Sequence, residues 1–300
     1  MQITVLPASA RTSQATIRAL LGDPSGPKVQ GIYRDLAKVP TEFKSHPNFK
    51  AVQGDMADAS TLNCFEGSQT VVVTIPPTRS ENADVTATAA AFTEAVNTAI
   101  KKAVSVKRLV MVSTKGAQYD HASLGDALGA LHNAEVCLGD AAPEVVFVRC
   151  AYFMENWATS VESVKEGSFF FSTFAPVDFK MPMVALKDIG QACADTAVAE
   201  GLGTVSPYIF ELQGPRLYSP MDVKQAFEEV AAKPVEVRPI PREAVPGFFG
   251  KVFPPKVAKL YADMVRAATP GGVMAEDPSP TEIVRKGKTE LVDVLRGVYW

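Results

Sequence analysis

Three short segments carry most of the side chains able to move protons. Ser113-Thr114-Lys115-Gly116-Ala117-Gln118-Tyr119-Asp120-His121 offers an amine, a phenol and an imidazole on one loop, and an imidazole is the side chain that titrates nearest neutral pH. Tyr152-Phe153-Met154-Glu155-Asn156-Trp157 adds a carboxyl group and a carboxamide beside aromatic rings. A carboxyl group under such a lid has a raised pKa and can act as a general acid. Lys115, Tyr119, His121, Glu155 and Asn156 are therefore the candidate catalytic groups. The plainer alternatives are a solvated loop for His121 and a helix start for Glu155. Thr74-Ile75-Pro76 forms a third edge, and Pro76, Tyr152, Phe153, Trp157, Phe169 and Phe171 are the candidate pocket lining. Rings in that number suit an apolar, flat metabolite, aromatic or polyketide-like, better than a sugar, although the same rings also suit an ordinary core.

These segments fall at the ends of predicted strands. Gln2–Leu6 is a β-rich run, and Arg11–Leu21 carries Ala15, Ile17, Ala19, Leu20 and Leu21 at helical spacing. Further strands are predicted at Val29–Tyr33, Phe49–Val52, Gln69–Ile75, Arg108–Ser113 and Glu144–Arg149, with helices over residues 82–104 and 123–139. Val71-Val72-Val73 and Leu109-Val110-Met111-Val112 are apolar on both faces, as strands of a parallel sheet covered by helices on each side must be. The expected fold class is α/β, a Rossmann-like doubly wound parallel sheet over residues 1–150. A smaller Pro-rich α/β lobe over residues 151–300, interleaved with the first, should cap the carboxyl edge of the sheet, where ligands bind in such folds. It is read as a helix at Phe153–Lys165, a strand at Ser168–Phe171, a helix at Lys187–Glu200, a strand at Pro207–Leu212 and a helix at Pro220–Ala232. The prolines of the last sixty residues predict short helices unable to extend a regular sheet.

Composition narrows the function classes. The 300 residues are 47% apolar and 21% charged, with a net charge of −3 and no basic block. That excludes disorder and disfavours a nucleic-acid partner. No run of apolar residues is long enough to span a bilayer and no leader segment is evident, so a cytoplasmic protein with no membrane partner is expected. The four cysteines lie far apart without a CxxC pair, so neither a metal site nor a disulfide is expected.

In order along the chain, Ile3–Leu21, Gly31–Asp35, Gln53-Gly54-Asp55-Met56-Ala57-Asp58, Val106–Ser113, Val148-Arg149 with Phe153–Asn156, and Lys187-Asp188-Ile189 resemble the NmrA-like branch of the atypical short-chain dehydrogenase/reductase superfamily. The resemblance covers most of the chain. It implies NADP(H) binding, with some relatives acting as reductases and others as redox-sensing regulators. It also places Arg34 at the 2′-phosphate of NADP, Asp55 beside the adenine, and Lys115, Tyr119 and Asn156 at the crevice. Asp55 reads alternatively as the cap of the next turn.

Two departures from the family pattern shape the expectation. Pro7, Ala10 and Ser13 stand where the dinucleotide turn of the family has glycines, which there give a tight turn, close approach of the pyrophosphate and close packing of helix on strand. Gly129 and Asn133 stand at the superfamily's Tyr-x-x-x-Lys positions. Ser9, Arg11 and Thr12 can still hold an anion at the helix start, with Thr74 completing the cofactor group; alternatively Ser9 is only an N-cap. The expectation is a non-redox enzyme of isomerase, cyclase or dehydratase type acting on a hydrophobic small molecule, with no cofactor required. The alternatives are an NADPH-dependent reductase that tolerates a glycine-free turn, and a non-catalytic regulator or sensor. The partner set is a hydrophobic substrate, with a second copy of the chain or a regulatory protein left open.

Overall fold

The protein was analysed as a computed structural model describing residues 1–76, 84–119, 121–201, 205–276 and 283–300, without the side chains of 121–124 and 127. In chain order the strands are β1 (Gln2–Leu6), β2 (Lys28–Tyr33), β3 (Phe49–Gln53), β4 (Thr70–Thr74), β5 (Arg108–Thr114), β6 (Glu144–Cys150), β7 (Tyr152–Phe153), β8 (Phe169–Ser172), β9 (Met181–Val184), β10 (Tyr208–Gln213), β11 (Leu217–Tyr218), β12 (Glu236–Pro239) and β13 (Val284–Lys286). The helices are α1 (Arg11–Leu21), α2 (Thr41–Lys44), α3 (Val85–Lys102), α4 (His121–Leu138), α5 (Val161–Gly167), α6 (Leu186–Val198), α7 (Pro220–Ala231), α8 (Val245–Phe249), α9 (Pro255–Ala268), α10 (Val273–Glu276) and α11 (Leu291–Tyr299).

Eight strands form one parallel sheet in the order β13-β10-β6-β5-β4-β1-β2-β3. The reversal of order between β1 and β4 is the topological switch point of a doubly wound sheet, the place where such folds open a crevice at the carboxyl edge. Two apolar layers sandwich the sheet. Ile3, Val5, Val110, Val146 and Phe210 meet α1 and α6 on one face, and Val71, Val73, Leu109, Met111 and Phe147 meet α3 and α4 on the other. At Gly190 helices α6 and α1 approach so closely that a Cβ would enter the backbone of Ala15. Asp84 caps α3 by accepting from the Ala87 N–H at 2.9 Å; the predicted beginning of that helix, residues 82–83, lies outside the described residues.

The second half differs from expectation in two places. The predicted helix Phe153–Lys165 is the last residue of a short strand, a 3-10 turn over Met154–Ser160 and then α5, because β7 pairs with β9 and pulls Phe153 into a small sheet. The Pro-rich tail does extend the main sheet: β13 follows the last of its prolines and pairs in parallel with β10. Proline bars only the positions that must donate a hydrogen bond, and β13 contains none. Within β8 alternation buries Phe170 and turns Phe169 and Phe171 to the other face, as the period of two requires. A third apolar cluster, with Met154, Trp157, Phe170, Phe227 and Leu295, fills the lobe built on the small sheets.

Candidate functional site

The turn joining β1 to α1 lies at the switch point. Ala8 is buried and its N–H donates to the Ile32 carbonyl at 2.8 Å. Ala10, not Ser9, occupies the N-cap, with φ −68° and ψ 145° and no side-chain cap. Among the described residues only Ser168 and Ala232 are non-glycine residues with positive φ, so no residue from 7 to 13 requires the conformational freedom of glycine. The turn closes without it. The first turn of α1 contains no acidic residue, and its N–H groups point out of the helix end with the positive end of the dipole. Around them lie the exposed Arg11 and the buried Thr12, whose hydroxyl is 3.2 Å from that of Thr74 at the end of β4. This donor set, three backbone N–H groups with a guanidinium and hydroxyls, fits a diphosphate.

Arg34, exposed, closes β2 next to this turn, and the Gly54 N–H donates to the Tyr33 carbonyl at 3.0 Å, bringing the ends of β2 and β3 together. Asp55 is half-buried there, its carboxylate accepting from the Ala57 N–H at 3.0 Å. Glu155 comes near Arg11 from the turn after β7. One carboxylate oxygen accepts from the Leu186 N–H at 2.8 Å, the start of α6, and the other is buried without a hydrogen-bond partner among the described residues. Burial raises its pKa, the Leu186 N–H and the charge of Arg11 oppose the rise, and Asp188 adds to it.

On the α4 face of the sheet, the carboxyl ends of three neighbouring strands carry Ser113, Arg149 and Glu211 in register. Arg149 grips Glu135 of α4 with two bonds, Nη2 to Oε2 at 2.6 Å and Nε to Oε1 at 3.0 Å, and the Ser113 hydroxyl lies 2.6 Å from Glu135 Oε1. Lys115, 3% exposed, brings its ammonium 3.4 Å from Glu211 Oε1. Two cations and two carboxylates are thus buried together, as charges in an interior must be. Tyr119, with Met264 and Met274, packs against the cluster of Leu128 and Ala267. His121 begins α4, and its side chain lies outside the described residues. Within α4, Gly125 breaks the helix at φ +73°, where a Cβ would lie 2.8 Å from Asp263 of α9.

Beside β6, Tyr152 is half-buried. Burial pushes its pKa well above the usual phenol value, the Asn156 amide opposes the rise, and Tyr261 of α9 adds to it. Its ring stands edge-on to Trp157 and Phe174 at 6.2 and 4.9 Å. Trp157 belongs to the core, 4% exposed, with its indole N–H unpartnered among the described residues. Phe153 and Pro76 are half-buried. Phe169 instead lies under the Arg238 guanidinium, 3.8 Å from its centroid, and Phe171 is 42% exposed. The structure therefore joins Tyr152, Asn156 and Trp157, and it carries Phe169 and Phe171 to the opposite face of β8.

Sequence reasoning missed Glu135, Glu211 and Tyr261. Glu211 could have been found as a lone carboxylate in the apolar run Ile209-Phe210-Glu211-Leu212, since a charge in a buried strand needs a partner. Tyr261 gives no such sign: it sits in an amphipathic helix whose place over Tyr152 is fixed only by tertiary packing.

A family model described as NAD(P)H-binding matches residues 8–198. Comparison with curated protein sequences found no match. Among solved structures, the chain is similar to an NADPH-dependent quinone oxidoreductase from Escherichia coli complexed with NADPH (18% identity, TM-score 0.76, all of both chains covered). It is also similar to a nucleoside-diphosphate-sugar epimerase from Staphylococcus aureus (15%, 0.75, 99% of this chain and 100% of that one). A third is the triphenylmethane reductase of Citrobacter sp. complexed with NADP(H) (16%, 0.70, 100% and 96%). At these identities the likeness is one of fold. The family match overturns the expectation that no nicotinamide cofactor is required, and the non-redox reading built on it gives way. The mistake lay in treating the glycines as obligatory, whereas Pro7, Ala8 and Ala10 reach a turn whose backbone stays at negative φ and leaves the helix end open. The chain belongs to the NAD(P)H-binding family, in the NmrA-like branch of the atypical short-chain dehydrogenase/reductases.

Proposed function

We propose that this protein is an NADPH-dependent reductase acting on a flat, apolar carbonyl or quinone-type acceptor, with Tyr152 supplying the proton. The observation that carries the reading is the open N-terminus of α1, uncapped and free of acidic residues, with Arg11 and the Thr12–Thr74 hydroxyl pair beside it. In this reading those groups hold the diphosphate, Arg34 takes the 2′-phosphate, and Asp55 borders the adenine. When bound, the nicotinamide supplies a hydride. The acceptor class follows from the aromatic surroundings of Tyr152 and from the likeness to a quinone oxidoreductase.

Reduction of a ketone carbonyl leaves an alkoxide more basic than a phenolate, so in that case the proton passes from the Tyr152 hydroxyl to that oxygen, whereas the oxygen left on a quinone is itself a phenolate and takes its proton from Tyr152 or from solvent. Burial keeps the phenol protonated through neutral pH, and the Asn156 amide steadies the phenolate left behind. Lys115 and Glu211, both buried, tie the end of β5 to β10 across β6 and act as positioning residues. Anaerobic mixing with NADPH and a panel of quinones and aromatic ketones, followed by absorbance at the nicotinamide band, tests the reading. Consumption of NADPH that falls at least tenfold in Tyr152→Phe with unchanged NADPH affinity is expected. Binding without consumption across the panel would reject a reductase in favour of a sensor.

A further inference from the structure

We propose that the tip between α8 and α9 docks the protein on an anionic lipid bilayer. This inference does not depend on the catalytic reading. The tip runs from Pro246 to Lys256 and exposes Val252 to 72%, together with Pro246, Gly247, Gly250 and Pro255. Phe248 and Phe253 are half-buried behind it, and Phe171, 42% exposed, lies 5.5 Å from Phe248 between ring centroids. Apolar side chains gathered at an outer edge mark an interaction surface.

Two observations point to a bilayer as what covers it. The first is charge. Between residues 242 and 266 there are five cations and two carboxylates, in a chain whose net charge is −3. One of the carboxylates, Asp263, is buried between Lys259 and Arg266. Lys251 and Lys256, which bracket Val252 and Phe253, are exposed and form no ion pair among the described residues. An anionic surface attracts this end of an otherwise acidic molecule, and so orients it.

The second is backbone chemistry. The N–H groups of Gly250, Lys251, Val252 and Phe253 all donate to carbonyls within the tip, at 2.9–3.3 Å, and Pro254 and Pro255 have none to donate. Donors already paired in this way add no unsatisfied group when the tip is desolvated against a surface. From the tip the rings continue inward: Phe248 to Phe249 at 5.7 Å, Phe249 to Tyr261 at 5.4 Å and Phe253 stacked on Tyr261 at 4.9 Å, with Tyr261 beside Tyr152. The expectation of no membrane partner rested on the lack of a spanning segment. Among the described residues no helix is long and apolar enough to cross a membrane, which is compatible with docking on its surface.

The test is flotation of the full chain with vesicles of pure phosphatidylcholine and of phosphatidylcholine containing about 30% phosphatidylglycerol. Partitioning at least tenfold stronger on the anionic vesicles, reversed by high salt, is expected. Lys251→Glu with Lys256→Glu, and separately Val252→Asp, should each lower it at least tenfold while leaving the melting temperature unchanged, since these side chains are exposed. No flotation on anionic vesicles at low salt, or variants that float like the parent, would overturn the proposal.

Discussion

Replacing Ala10 by Asp should move two properties in opposite directions. Ala10 is the N-cap of α1 in an extended conformation that Asp adopts freely, and nothing in its side chain now serves the N–H groups of the first turn. A capping carboxylate adds about 1 kcal/mol of stability. For a chain of this length, with about 2 cal/mol/K of unfolding entropy per residue, that raises the melting temperature by roughly 2 °C. The same carboxylate stands where the diphosphate would lie. A unit charge about 5 Å from another at an effective dielectric of 20 costs about 3 kcal/mol, which weakens binding by roughly 100-fold. Thermal unfolding with and without NADPH reads both effects. NADPH at about 100 times the dissociation constant adds about 2.7 kcal/mol to the parent, a shift of roughly 4 °C, but only about 0.4 kcal/mol to a variant bound 100-fold more weakly. Ala10→Ser, a cap without charge, separates capping from repulsion. If Ala10→Asp unfolds at a higher temperature yet keeps the full NADPH shift, the diphosphate does not bind at this helix end and the placement is wrong.

Three further outcomes are expected. Glu135→Ala leaves the Arg149 guanidinium buried without its two-bond partner and should destabilise the fold by about 3–5 kcal/mol in denaturant titrations; a loss below about 1 kcal/mol would mean that the quartet is well hydrated. Gly190→Ala forces α6 away from Ala15 and should cost about 1–3 kcal/mol by the same assay, whereas unchanged stability would show that the helices separate freely. Glu155 has a raised pKa in the folded protein, so the folded state binds its proton more tightly than the unfolded state does. The resulting contribution is present at low pH and is lost as pH rises from about 4.3 through the higher folded value. Glu155→Gln, which can still accept from the Leu186 N–H, should flatten that part of the stability profile; a profile identical to the parent's would show that the carboxyl group is not perturbed.

The sheet was legible because its strands are apolar on both faces and are bounded by turns: β1, β2, β4, β5 and β6 each follow from a run of residues such as Val71-Val72-Val73. The chemistry at their ends was less so. The sequence shows Pro7 and Ala10 in place of glycines, but whether glycine is needed depends on φ, which the neighbours set: Ala8 donating to Ile32 and Ala10 standing at φ −68°. Lys115 reads as a free base on a loop until Glu211, ninety-six residues later, is brought across from β10. The run Phe169-Phe170-Phe171 announces that rings alternate but not which face is the core, and only the packing of Phe170 on Trp157 and Phe227 decides it.

The most direct test of the proposal is calorimetric titration of the intact chain with NADPH. One saturable site with a dissociation constant on the order of 1 μM, equivalent to about 8 kcal/mol, is expected, weakened at least tenfold for Arg34→Glu. A flat thermogram at millimolar NADPH would contradict it.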